Sequence, residues 1–553
     1  MTEKSTDNIT QNLSRLKSLI SESRQVEEDM ENLISVLREE PASSAVSGAL
    51  GWQERTLFPS LAPNITILKN IFYNCSDVVF HEFIYAQDSG TKLALLYIDG
   101  LADKVQVSEH ILKPLIADAS ATPPNNPVDK TQVFRFILER QLRTHQTRET
   151  DRFQDVVNTV LSGDTVLLVD GHTRAIINGA RGWENRTMEE PGGELVLRGP
   201  RDSFVETLRV NTAVLRRRIK SPDLKIEAMT FGRLTRTDVA VVYVKGVASE
   251  NMVEEVKRRL GRIDIDAVLE SGYIEELIED NPWSLFPQIN HTERPDRLAA
   301  RLLEGRVGIL VDGTPFALSV PSLFVEYLQA PDDYYERWQA ATALRILRFV
   351  AQFLSLVVPS FYLAVITFHH EMLPTALLLN FAAQREHVPF PAFMEILLME
   401  IMFEILREAG LRLPKAVGQA VSIVGALVLG ETAVRTGLVG EATVIVVAVT
   451  GISSFLLAHS NSLAVRLLRF PLLLLSGFLG LFGLMIGLTA IFIHICSLRS
   501  FGVPYLSPLS PFTPSDQKDT LVRAPWRAIL TRPHLIARFN KTRQTGISPA
   551  ERI

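Results

Sequence analysis

Residues 393–411 read FMEILLMEIMFEILREAGL, an apolar stretch that carries Glu395, Glu400, Glu404 and Glu408. On a helix Glu400, Glu404 and Glu408 share one side, with Arg407 close by, and Glu395 lies nearly opposite. A carboxylate in hydrocarbon is costly and normally faces an interior or a water-filled path, where it can hold cations or relay protons. The other reading is an interfacial amphipathic helix whose acids sit in water or pair with Arg407. Upstream, Pro359 interrupts VVPSFYLAVITF, and Pro374 follows in HHEMLPTALLL. Proline removes a backbone donor and kinks a helix. Broken membrane helices tend to line cavities, because freed carbonyls need partners. Pro359, Ser360, Tyr362, Glu395, Glu400 and Glu404 are therefore candidate ion-path residues, and a kink that only improves packing is the alternative. Pro374, Gly483 and Gly487 are candidates for gating or helix packing; the two glycines have GxxxG spacing, which lets helices approach closely.

Enzyme signatures are absent: there is no P-loop, paired CxxC, HExxH or GxSxG. His369-His370-Glu371 suggests a metal, but adjacent histidines point to different faces of a helix, so no metal site, catalytic residue or cofactor is expected. The net charge of -5 argues against nucleic-acid binding. The two cysteines, Cys75 and Cys496, lie far apart in the chain, which disfavours a disulfide framework and fits a reducing compartment for the soluble half.

The elements that must position these residues divide the chain in two. Residues 1–343 are rich in charge, whereas from Leu344 to Cys496 there is no Asp and no Trp. Four segments are apolar enough to span about 30 Å of hydrocarbon: 346–368, 417–434, 438–458 and 470–496, the last long enough to tilt or break. Arg337, Arg345 and Arg348 lie at the head of the first, and Arg499, Arg523, Arg527, Arg532, Arg538, Lys541 and Arg543 follow the last. The positive-inside rule then puts both ends in the cytoplasm and demands an even number of crossings. Four crossings satisfy it if 393–411 is interfacial or re-entrant. No secretory h-region precedes the soluble half, which is expected to stay cytoplasmic.

The fold class expected is an α/β soluble N-terminal region in two subdomains, followed by an α-helical polytopic membrane domain. The expected bounds are a polar tail and linker (1–52), a first α/β subdomain (53–160), a second (161–343), a transmembrane domain (344–498) and a basic tail (499–553). Pro-rich 117–126 is a possible separator of the subdomains. LALLYIDG, TVLLVDG and RVGILVDG each end an apolar run in Asp-Gly, the pair that tolerates positive φ in a tight turn. Hairpin geometry alone explains them; repeated ligand loops are the sharper alternative. Residues 203–219 read as a helix capped by Asp202 or Ser203, and Arg216-Arg217-Arg218 as its solvated C-terminal end.

Long stretches carry a family resemblance. PSFYLAVITFHHEMLPTALL, FPAFMEILLMEIMFEILREAGLRLPKAVGQAVSIVGALVLGETAV and ISSFLLA, together with VDGHTRAIINGARGWENR, RGPRDSFVETLRVNTAVLRRRIKSPDLKIE and GRVGILVDGTPFALSVPSLFVEYLQAPDDYY, resemble the A-subunit family of spore germinant receptors. The likeness runs from about residue 70 to the last apolar segment. It implies a multi-pass protein of the endospore inner membrane, partnered by a transporter-like B subunit and a lipoprotein C subunit. It also implies a homo-oligomer, embedded in membrane lipid, that releases ions when the receptor senses a nutrient. A non-conducting scaffold or signal-relay subunit of the same complex is the alternative. A relative acting with the dipicolinate channel is similar in the membrane half, and the N-terminal extension here favours the receptor subunit.

Overall fold

The computed structural model describes residues 51–85, 91–116, 134–135, 137–138, 147–182, 191–413, 430–456, 459–537 and 540–544. The polar tail, the Pro-rich segment 117–126 and most of the expected span 417–434 lie outside these residues.

Alternating and continuous apolar runs in the soluble half pair as antiparallel strands. β1 (Val78–Tyr85), β2 (Thr91–Ile98), β3 (Thr147–Thr150), β4 (Thr165–Val169) and β5 (Ala175–Asn178) form one sheet in the order β1-β2-β4-β5-β3. Helices α1 (Leu61–Ile71) and α2 (Phe153–Leu161) cover one face, through Leu61, Leu68, Phe153 and Val160 against Leu96, Val166 and Leu168. Leu93, Leu95, Leu167 and Val169 face the opposite core with Val107 and Ile111. Burial on both faces explains why β2 and β4 read as continuous hydrophobic runs. Because β4 pairs with β2 from Leu93↔Val169 to Leu96↔Val166, the first sheet crosses the boundary expected at residue 160.

A second sheet repeats the plan. β6 (Leu224–Phe231), β7 (Thr237–Val244), β8 (Asn290–Thr292), β9 (Val307–Val311) and β10 (Ala317–Val320) take the order β6-β7-β9-β10-β8. α3 (Leu208–Arg218) and α6 (Pro295–Leu303) cover one face, and α4 (Glu250–Leu260) and α5 (Ser271–Ile278) the other. The correspondence reaches single side chains. Asn64 clasps the backbone N–H and C=O of Phe58, and Asn211 does the same to Val205. The Asp170 carboxylate accepts from the Leu61 N–H at 3.1 Å, and that of Asp312 from the Leu208 N–H at 2.9 Å. The following glycines, Gly171 and Gly313, have φ of 92° and 88°. Two of the three Asp-Gly turns thus connect hairpins and also cap a neighbouring helix, satisfying one of its orphan donors.

This capping corrects two expectations. The helix expected from Ser203 begins at Leu208, because Asn211 holds the chain extended at Val205 and Asp312 supplies the cap from a distant turn. The arginine run is solvated only in part, at the exposed Arg217. Arg216 is fully buried and grips Asp77, also fully buried, through Nε at 2.7 Å and Nη2 at 3.0 Å, joining the two subdomains. Arg218 pairs with Asp202.

The C-terminal region is helical: α7 (Trp338–Phe368), α8 (Thr375–Arg385), α9 (Ala392–Arg412), α10 (Glu441–Phe455) and α11 (His459–Ser497). Among the described residues, α7 and the stretch Ser462–Ser497 are long and apolar enough to cross a membrane; α10 is apolar but has 15 residues. α11 is not one rod. Gly480 has φ 61° and ψ -142°, a conformation that only glycine adopts readily, and the chain reverses there. A Cβ on Gly483 would lie 2.1 Å from the Leu475 carbonyl oxygen, and one on Gly487 2.4 Å from a Leu472 methyl. In a straight helix residues 472 and 487 would be about 22 Å apart, at 1.5 Å per residue. Ala464 and Ile495 meet in one core cluster with Phe286, Phe324, Tyr327 and Tyr505, so both feet of the hairpin rest on the soluble region. Its tip contacts Phe368 and His369 at the far end of α7.

Residues 499–537 and 540–544 are not a free basic tail. Phe501, Val503, Tyr505 and Ile536 are buried against the second subdomain. Asp519 accepts from Arg345 at 2.9 Å, and Asp333 from both Arg345 and Arg348, at the foot of α7. Arg543 pairs with Glu304 at 3.3 Å. Apolar residues interspersed among the cations anchor this segment, and the ion pairs Asp519–Arg345 and Arg543–Glu304 tie it to the rest of the chain.

Candidate functional site

The irregular helix α7 and the acidic helix α9 meet at a single polar node. Pro359 lies inside α7 and has no N–H, so the carbonyl four residues earlier, Ser355, loses its helical donor. Arg469, from the first arm of the α11 hairpin, fills that gap: its Nε donates to the Ser355 carbonyl at 3.0 Å and its Nη2 to the Ser355 hydroxyl at 3.1 Å. Its Nη1 donates to Glu400 of α9. Arg469 and Glu400 are each 1% exposed, and Ser355 is fully buried. One proline, one arginine and one glutamate thus join three helices. A buried charge persists only when it is paired and hydrogen-bonded, and the node meets both conditions.

One turn away, Arg466 grips Glu404 at 3.0 Å through Nε. The structure therefore pairs Glu400 and Glu404 with the hairpin and not with Arg407. Arg407 donates to the Ser454 hydroxyl of α10 and stacks on the rings of Phe403 and Phe455, 5.1 and 4.6 Å from their centroids. Glu395, 1% exposed, accepts from the Gly440 N–H at 2.7 Å. Gly440 is the cap of α10, so this carboxylate sits at the helix end where the macrodipole favours negative charge. Glu408 is exposed and pairs with Arg412 at 2.7 Å. The expectation that the acids lie in water or beside Arg407 fails for Glu395, Glu400 and Glu404, because these three lie on the side of α9 that packs against its neighbouring helices.

Contacts at both ends fix the direction of α9 and α10. Gly440 meets Glu395, Phe403 lies against Gly451 and Ser454 meets Arg407, so the two helices run parallel. Ala392 and Ile396 pack with Leu363 and Ile366, near the far end of α7, so α9 starts there and returns toward the soluble region.

The remaining candidates scatter. Ser360 is fully buried and its hydroxyl has no partner among the described residues. Tyr362 packs edge-on to Phe381 of α8, centroids 6.3 Å apart. Pro374 caps the N-terminus of α8. Gly483 and Gly487 bring the two arms of one hairpin together and leave no room for a side chain. Arg466, Arg469 and Ser355 escaped the reading of the sequence, which placed the last span from residue 470 onward. A signal was present: two arginines three residues apart at the head of an apolar run match two glutamates four apart on another. Ser355 could have been found by counting four residues back from Pro359.

Comparison with known proteins decides the family. The family described as Bacillus/Clostridium GerA spore germination protein matches residues 66–535. The chain belongs to the GerA spore germination family. Within it, the chain is 46% identical to "Spore germination protein KA" of Bacillus subtilis (strain 168), over 88% of each chain. It is 38% identical to "Spore germination protein GerLA" of Bacillus cereus, covering 86% of this chain and 95% of that one. A crystal structure of the N-terminal domain of the A subunit of the Bacillus megaterium spore germinant receptor GerK3 aligns with 36% identity and a TM-score of 0.39, covering 49% of this chain and 98% of that one. These GerA relatives are spore germination proteins of the A-subunit type, and a germinant receptor A-type subunit fits this chain. They bear the names of germination proteins and not of enzymes.

Proposed function

We propose that this chain is the A subunit of a spore germinant receptor that carries ions across the spore inner membrane when a nutrient is sensed. The family match over residues 66–535 supports the receptor assignment. One observation supports an ion path: the fully enclosed charged node of Glu400 and Arg469 within an apolar helical bundle. Such a node is costly in a membrane protein that only needs packing. In this reading the chain works as a homo-oligomer with a transporter-like B subunit and a lipoprotein C subunit.

In the same reading, the soluble region and the C-terminal segment share the cytoplasmic side. Their packing against each other supports this. The helical region then makes an even number of crossings: α7 runs outward, α9 and α10 both run back, so that the end of α9 and the start of α10 lie on opposite sides, and the two arms of α11 run outward and back. This reading has six crossings, against the four expected from hydropathy. The reversal at Gly480 and the parallel course of α9 and α10 support the higher number. Cysteines placed singly at Glu386 and at Arg412, in a Cys75→Ser/Cys496→Ser background, test it. Labelling by a membrane-impermeant reagent from opposite sides is expected; labelling of both from one side removes α9 from the crossings.

A second reading has an observation of its own. Glu400 and Glu404 are paired with arginines and Glu395 is hydrogen-bonded to a backbone N–H, all within the chain, which suits a non-conducting scaffold or relay. Purified receptor in liposomes separates the two. Nutrient-triggered cation flux that falls at least tenfold in Glu400→Gln supports the ion path, and flux unchanged by Glu400→Gln and Glu404→Gln supports the relay.

A further inference from the structure

The groups that hold Arg469 are the groups that hold a metal cation. A buried carboxylate, a backbone carbonyl released by proline and a serine hydroxyl converge on one guanidinium. Alkali and alkaline-earth cations take oxygen ligands of these kinds. The set has spare capacity, since Glu400 Oε1 is enclosed and without a hydrogen-bond partner among the described residues. The carbonyl is available only because position 359 is proline. A helix-forming residue there would return the Ser355 oxygen to its own helix.

We propose that Arg469 is a tethered plug in a cation site built from the Glu400 carboxylate and the carbonyl and hydroxyl of Ser355, and that withdrawing it frees the site for a small alkali cation. The physiological meaning of the plug rests on the ion-path reading, whereas the binding site does not. Arg466 rides the same arm one turn earlier and covers Glu404, so a displacement of that arm uncovers both acids together. The break at Gly480 gives that arm a hinge separate from the arm that leads to the C-terminal segment.

The test is thermal unfolding of the full chain in detergent, titrated with potassium or sodium chloride against choline chloride at constant ionic strength. Arg469→Gln should gain roughly 1–4 °C at ten times the dissociation constant, as expected for a ligand that binds only the folded state. The wild type, whose site is plugged, should not respond. Glu400→Gln/Arg469→Gln should lose the response, and Pro359→Ala/Arg469→Gln should weaken it. A flat titration of folded Arg469→Gln overturns the proposal. If Arg469→Gln folds only in alkali salt, the proposal is supported. If it folds in neither salt while Glu400→Gln/Arg469→Gln folds normally, no cation replaces the guanidinium and the proposal is overturned. Thallium flux through liposomes holding Arg469→Gln separates the two ideas: stabilisation by cation without flux supports the site and counts against the ion path.

Discussion

Removing Asp77 should open the seam between the two subdomains. Arg216 and Asp77 are both fully buried and share two hydrogen bonds of 2.7 and 3.0 Å. In Asp77→Ala the guanidinium loses its carboxylate and keeps the Ser221 carbonyl, 3.0 Å from its Nη1. Leaving one member of a buried ion pair unpaired costs about 3–5 kcal/mol. At 1.4 kcal/mol per tenfold, the opening equilibrium of the seam should rise by about 10²–10³-fold or more. Cys75 reports it directly. It lies in the same seam, bridged to β6 at Ile226, where burial raises its thiol pKa and shields the sulfur from reagent. Cys496 is exposed and is replaced by serine to leave one signal. The rate of thiol labelling of the folded protein should rise by that factor in Asp77→Ala. Asp77→Leu/Arg216→Met, which removes both charges, should label more slowly than the single variant, because no uncompensated charge remains. Labelling of Asp77→Ala within threefold of the parent rate would refute the claim that the pair holds the seam.

Other outcomes follow from the same contacts. Burial raises the Glu279 carboxyl from 4.5 to about 7, and the neighbouring Glu275 carboxylate adds to the rise. An acid whose pKa is raised by folding contributes full stability below about pH 4.5 and loses it as pH climbs through about 7. Glu279→Gln should therefore unfold at a higher temperature than the parent at pH 8, by about 1–2 kcal/mol after allowance for partial exposure, with the gap closing by about pH 5. Asp312→Ala removes the cap of α3 and should cost about 1 kcal/mol in thermal unfolding, whereas Asp312→Asn should recover most of it. Cysteines at Leu472 and Gly487 should form a disulfide in the membrane, which a continuous helix would forbid, and adding Gly480→Ala should lower its yield, because position 480 needs φ of 61°.

Much of the soluble half was legible because its signals are local. The strands announce themselves as β-rich apolar runs, and Asp170-Gly171 and Asp312-Gly313 mark their turns through a backbone conformation that glycine favours. The duplication was harder to see. It resides in strand order and in Asn64/Asn211 and Asp170/Asp312, isolated positions in otherwise different segments. The burial of Arg216 was hidden because its partner is 139 residues away, and a run of three arginines looks the same whether one of them is inside. In the helical half, hydropathy found the apolar segments but not the reversal at Gly480, since mean hydropathy does not change where a helix turns back.

By itself the sequence determined that a charged α/β half precedes an apolar helical half, that the acids of α9 lie in an apolar setting, and that Pro359 must leave a carbonyl without a helical donor. These are properties of residue type and local spacing, and they hold whatever the chain contacts. Only the tertiary structure decided what those groups meet. Arg469 reaches the Ser355 carbonyl and Glu400 across 114 and 69 residues, and Gly440 reaches Glu395 across 45. A freed carbonyl or a buried carboxylate demands a partner but does not specify which, because several arginines and backbone N–H groups could satisfy the same demand. Helix packing makes the choice, and here the first arm of the α11 hairpin places Arg466 and Arg469 alongside both acids.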